Sequence, residues 1–70
     1  MLRTSVVSSN IRSVGYDPQT QKLEIEFNSG WVYEYSTVPV SVYHGLMSAE
    51  SHGRYFNRYI KNSYPYRRIR

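Results

Sequence analysis

A two-layer α+β domain is the fold class this sequence predicts, a three-stranded antiparallel meander followed by two helices packed on one face (βββαα). Three observations predict it. Leu23, Ile25 and Phe27 alternate with Glu24, Glu26 and Asn28, the period of two that marks a strand with one buried face. The alternation resumes in Trp31, Tyr33 and Tyr35 after the turn residues Asn28-Ser29-Gly30. From Pro39 onward the apolar spacing changes to the three-and-four repeat of amphipathic helices. With 70 residues and no cysteine, the chain forms one domain with a thin core and no disulfide or thiolate metal site to reinforce it. Eight tyrosines and one tryptophan supply much of the area available for burial.

In chain order, residues 1–7 read as a flexible lead-in, although Val6 and Val7 could extend an edge strand. The domain proper is expected over 8–66, with 67–70 as a basic tail. The first strand is expected over Ile11 to Tyr16, closed by Asp17-Pro18, a type I turn pair. Ile11 and Val14 differ by an odd step. A bulge near Ser13 brings both onto one face. Strands two and three are the opening stretch. A three-residue loop ending in Gly30 suits a type I turn followed by a left-handed residue, which pairs Phe27 with Trp31. Leu23, Ile25, Phe27, Trp31, Tyr33 and Tyr35 then share one face and Tyr33 and Tyr35 are assigned to the core, while Glu24, Glu26 and Glu34 make the outer face acidic.

Ser36 or Thr37 is expected to cap the first helix, with Pro39 in its first turn. Val42, Leu46 and Ala49 form its apolar stripe, flanked by Tyr43 and Met47. Ser51 is expected to cap a second helix, in which Tyr55, Phe56, Tyr59 and Ile60 lie at core spacing. Arg54, Arg58 and Lys61, at i, i+4 and i+7, mark another face. Pro65 prevents continuation, so Tyr64 to Arg70 reads as extended, and Tyr66 is the aromatic residue with least claim on the core.

The net charge of +4 is unevenly spread. Residues 1–50 hold three cations against five carboxylates, whereas Arg54, Arg58, Lys61, Arg67, Arg68 and Arg70 face no acid. An uncompensated basic third suits an anionic partner, and a solvated helix face with a frayed tail is the plainer reading. No segment approaches the ~20 apolar residues of a membrane span, and no apolar run suits a signal peptide. Together with the lack of cysteine, this points to the cytoplasm and away from a membrane.

The chain resembles the KTSC domain, a small module named for its occurrence at the C-terminus of some lysyl-tRNA synthetases and also found alone in small bacterial and phage proteins. The resemblance lies in Ser8-Ser9-Asn10-Ile11, Gly15-Tyr16-Asp17, Leu23-x-Ile25-x-Phe27 with Gly30, and Tyr33-Glu34-Tyr35. It continues through Val38-Pro39, Ser51-His52-Gly53-Arg54-Tyr55-Phe56-Asn57, Ile60 and Tyr64. It implies RNA as a suggested partner and carries no catalytic residues.

Three function classes follow. A non-catalytic module binding RNA would use Arg54, Arg58 and Lys61 with Tyr66, Arg67, Arg68 and Arg70 to meet phosphates and bases. A protein-interaction module would instead need an exposed apolar patch without a basic rim. A small nuclease-like enzyme would need a site such as Tyr16, Arg54 and Glu50, which no spacing requires. His44 and His52, with no third ligand, do not make a zinc site. The expectation is therefore a binding module with no catalytic residues, metal or cofactor. The oligomeric state stays open, because a three-stranded sheet has exposed edges.

Overall fold

The computed structural model describes residues 2–70. Strands β1 (Arg3–Ser5), β2 (Ile11–Asp17), β3 (Lys22–Phe27) and β4 (Val32–Tyr35) are followed by α1 (Val40–Ser48), α2 (His52–Tyr59) and β5 (Tyr66–Arg68). The strands form one antiparallel sheet in the order β1-β2-β3-β4-β5.

The three expected strands are the central ones. The bulge is present, because the β2–β3 register shifts between Ile11 and Ser13, which lets Ile11 and Val14 both become buried. The β3–β4 turn also forms as the residues dictate. Gly30 has φ +99°, and the Phe27 amide donates to the Trp31 carbonyl at 2.9 Å.

The expectation of three strands is corrected to five. Arg3–Ser5, expected within the lead-in, pairs with β2, and Tyr66–Arg68, expected as extended chain and tail, pairs with β4. Both have only three residues, too few for a readable alternation; their backbone groups are satisfied by the neighbouring edge. Around β5, Ser36 donates to the Pro65 carbonyl and Val32 to that of Arg70, each at 2.9 Å.

The α1 cap is a second correction. Pro39 is the N-cap and makes no side-chain cap bond. Ser36 Oγ accepts from Lys22 Nζ instead, and Thr37 adopts φ +58°. The Tyr16 hydroxyl donates to the Val38 carbonyl and the Val38 amide to that of Gln21, which together orient the entry to α1. At α2 the expected cap holds, with the Arg54 amide donating to Ser51 Oγ at 3.2 Å.

Both helices lie between β4 and β5 in sequence. Leu46 of α1 and Phe56 and Ile60 at α2 meet Ile11, Val14, Leu23, Ile25, Tyr35 and Val38 in one core. Two glycines permit this packing. A Cβ on Gly45 would run into the Tyr55 ring, and one on Gly53 would lie 2.6 Å from Asn10 Oδ1.

Candidate functional site

Where α2 ends, part of the sheet's helix-facing side is left open. Strand register sets Tyr35 opposite Tyr66 and Tyr33 opposite Arg68. Tyr35 lies under Phe56 and is 2% exposed, but Trp31 is 47% and Tyr66 58% exposed, with Tyr33 half-buried between them. Tyr66 stacks on Tyr33 (centroids 5.5 Å apart, planes 17° apart) and Tyr33 on Trp31 (6.4 Å, 12°). The Arg68 guanidinium sits over the indole, 4.0 Å from the ring centroid. The floor of this open cleft, about 550 Å³ in volume, is Phe27, Tyr35 and Phe56; its polar margin includes Asn10, Asn57, Lys61 and Asn62. Burial together with the neighbouring Tyr66 and Tyr33 pushes the Tyr35 hydroxyl up to about 12, so it stays a neutral part of that floor.

The cations expected on one helical face and on the tail are divided among three surfaces. Arg54 and Arg58 line a second groove, of about 550 Å³, with Glu50, Ser51, Tyr55 and Tyr59. Lys61 is not on their helical face, because α2 stops at Tyr59 and Lys61 falls in the turn beyond it, at the margin of the aromatic cleft. Arg68 reaches the Trp31 ring of that cleft. Arg67 and Arg70 lie on the opposite side of the sheet, bonded to Glu34 at 3.1 Å and Glu26 at 3.2 Å. Tyr66 is in the cleft.

The outer face is thus a network of paired charges. Arg3 meets Glu24 at 2.7 Å, and Lys22 approaches Glu34 at 3.6 Å beside Arg67. A hydrogen bond from Ser13 Oγ, at 2.8 Å, is the main influence holding the Glu26 carboxyl below its ordinary range, assisted by Arg3, Arg12 and Arg70. Its acidic character was readable from the alternation; its neutralisation by the two terminal strands was not.

The groups considered for catalysis are not brought together. The Tyr16 hydroxyl is engaged by Val38 and its ring stacks on Tyr43 at 4.7 Å, whereas Arg54 and Glu50 line the second groove. His52 Nδ1 lies 2.8 Å from the Leu46 carbonyl, tying α2 to α1. Among the described residues no three His, Cys, Asp or Glu side chains are grouped to hold a metal ion.

Tyr33 packs against the core as its alternation predicts but only partly, and Trp31 on the same face stays exposed. The signal that separates them from Tyr35 is the length of α2, which periodicity overestimates.

Tyr33 and Tyr35 of the YEY strand and Phe56 and Asn57 of α2 thus line one cleft. The family model for the KTSC domain matches residues 7–64. The chain belongs to the KTSC domain family. A KTSC domain protein from Yersinia pestis, solved by crystallography, superimposes with a TM-score of 0.96 at 42% identity, covering 99% of this chain and 97% of that one. An uncharacterized protein of Stutzerimonas stutzeri is 49% identical over 70 residues, 99% of each chain. A lysine–tRNA ligase of a Nostoc species is 43% identical over 61 residues, 87% of this chain but 11% of the ligase. The KTSC domain thus occurs both as nearly the whole of a small protein and as a minor part of a much longer one. No helix among the described residues is long and apolar enough to cross a membrane.

Proposed function

We propose that this KTSC domain is a cytoplasmic, non-catalytic module that binds single-stranded RNA by stacking bases along Trp31, Tyr33 and Tyr66. The observation that carries the reading is the run of rings on the open part of the sheet, exposed at Trp31 and Tyr66, with Arg68 over one end and Lys61 at its margin. Every base has a π-face, so an aromatic platform accepts single strands with little sequence preference, and each stack contributes about 1–3 kcal/mol. A guanidinium plane is itself a stacking surface for a base, and Arg68 also brings charge to the backbone. Paired bases in a duplex are not available to such a platform. The relationship to part of a lysine–tRNA ligase supports an RNA setting.

Protein docking is the less favoured reading, because a platform rimmed by Lys61 and Arg68 is matched to a polyanion. The test is binding of an oligouridylate of about 12 nucleotides, within the site sizes usual for small single-strand binders. Trp31→Ala and Tyr66→Ala are each expected to weaken binding by about 1–3 kcal/mol, roughly 5- to 150-fold. Binding that is absent at low salt, or indifferent to both substitutions, overturns the proposal.

A further inference from the structure

We infer that the aromatic cleft and the Arg54–Arg58 groove form one continuous track, crossed at Asn57, so that an RNA strand longer than the cleft lays its next phosphates on α2. This rests on the RNA reading of the cleft and extends it to a second contact region. Asn57 lines both depressions, so they adjoin across a single residue of α2. Neither Arg54 nor Arg58 has a carboxylate within 4.0 Å among the described residues, although Glu50 lies in the same groove. Tyr55 and Tyr59 stand beside them with ring centroids 4.7 Å apart, and Arg58 reaches over Tyr59 at 5.4 Å.

The other ways out of the cleft are less suited to a phosphodiester chain. At the β3–β4 turn the lining is the neutral Ser9, Asn10, Asn28 and Ser29, with the Arg12 guanidinium engaged by the Asn28 carbonyl at 3.3 Å. Beyond β5 lies the outer face, where Glu26 and Glu34 already hold Arg70 and Arg67. A strand whose bases occupy the cleft meets unpaired cations by passing Asn57.

The experiment measures affinity of the full chain for oligouridylates of about 4 and about 12 nucleotides, both within the usual range for one small domain. The double variant Arg54→Gln/Arg58→Gln is compared with Trp31→Ala. Both arginines are exposed, and far-UV circular dichroism checks that the double variant folds. The track predicts that the double variant lowers affinity for the longer strand about tenfold and for the shorter strand less than about twofold. Its salt dependence for the longer strand should also be shallower by about 1.4 in log K against log salt, two contacts at about 0.7 each. Trp31→Ala lowers both affinities. Equal effects of the double variant on both lengths, or no effect on either, overturn the track while the cleft reading stands. Failure of the wild-type chain to bind either length at low salt overturns both.

Discussion

Trp31, Tyr33 and Tyr35 occupy equivalent faces of one hairpin, and their differing exposure follows from what lies above each. Phe56 covers Tyr35, while the end of α2 leaves Trp31 and Tyr66 accessible. Removing either exposed ring should therefore cost binding without much cost in stability. Trp31→Ala and Tyr66→Ala are expected to shift unfolding free energy by about 1 kcal/mol or less, measured by urea denaturation, as befits half-exposed side chains. Tyr35 is different. Its hydroxyl is held up to about 12 by burial and by Tyr66 and Tyr33, against an unfolded value of 10.0. Folding therefore keeps a proton that the unfolded chain releases. The stability linked to Tyr35 is complete below pH 10 and is lost as pH rises through about 12, by about 1–3 kcal/mol. Denaturation curves at stepwise pH should show this alkaline decline, and Tyr35→Phe should flatten it.

At the scale of elements, the close packing of α1 on α2 depends on Gly45, whose missing Cβ makes room for the Tyr55 ring. Alanine there would improve helix propensity by about 1 kcal/mol, yet the ring would have to move. Gly45→Ala is expected to destabilise by about 1–2 kcal/mol in the wild-type chain and to become neutral or stabilising in a Tyr55→Ala background. Thermal denaturation of the four chains reads that reversal. The edge strand β5 gives another prediction. Arg67 and Arg70 point to the outer face and into exposed ion pairs, so Arg67→Gln/Arg70→Gln should leave RNA affinity within about twofold and cost about 1 kcal/mol or less in stability. A tenfold loss of affinity would return those residues to the interface.

These elements also mark what was legible in the sequence. β2, β3 and β4 were readable because alternating apolar residues fix a strand and its buried face, and Gly30 fixed the turn between two of them. Ser51 announced α2 through its capping chemistry. β1 and β5 were not readable, since three residues are too few to show a period and become strands only when a neighbouring edge offers hydrogen bonds. Lys61 was misplaced for a related reason. Helical spacing carries Lys61 onto the face of Arg54 and Arg58 only if α2 continues past Ile60, whereas the helix closes at Tyr59 with Ile60 turned into the core.

Over the whole molecule, the fold sorts charge that the chain presents as one basic third. Glutamates of β3 and β4 take up Arg3, Lys22, Arg67 and Arg70 on one side of the sheet. On the helix side Arg54, Arg58, Lys61 and Arg68 remain without a carboxylate partner among the described residues, beside the exposed aromatic rings. If RNA met all four, the salt slope for a single strand would be about −3, shallower than all six C-terminal cations would produce. For single-stranded RNA in the aromatic cleft the chain carries its own probe, because Trp31 is its one tryptophan. The most direct measurement is titration of Trp31 fluorescence with an oligouridylate of about 12 nucleotides at low salt, with duplex RNA as comparison. The structure leads to a saturable change on adding the single strand, absent with duplex, weakened by salt and shifted to higher RNA concentration in Tyr66→Ala. Unchanged emission with the single strand at low salt would contradict it.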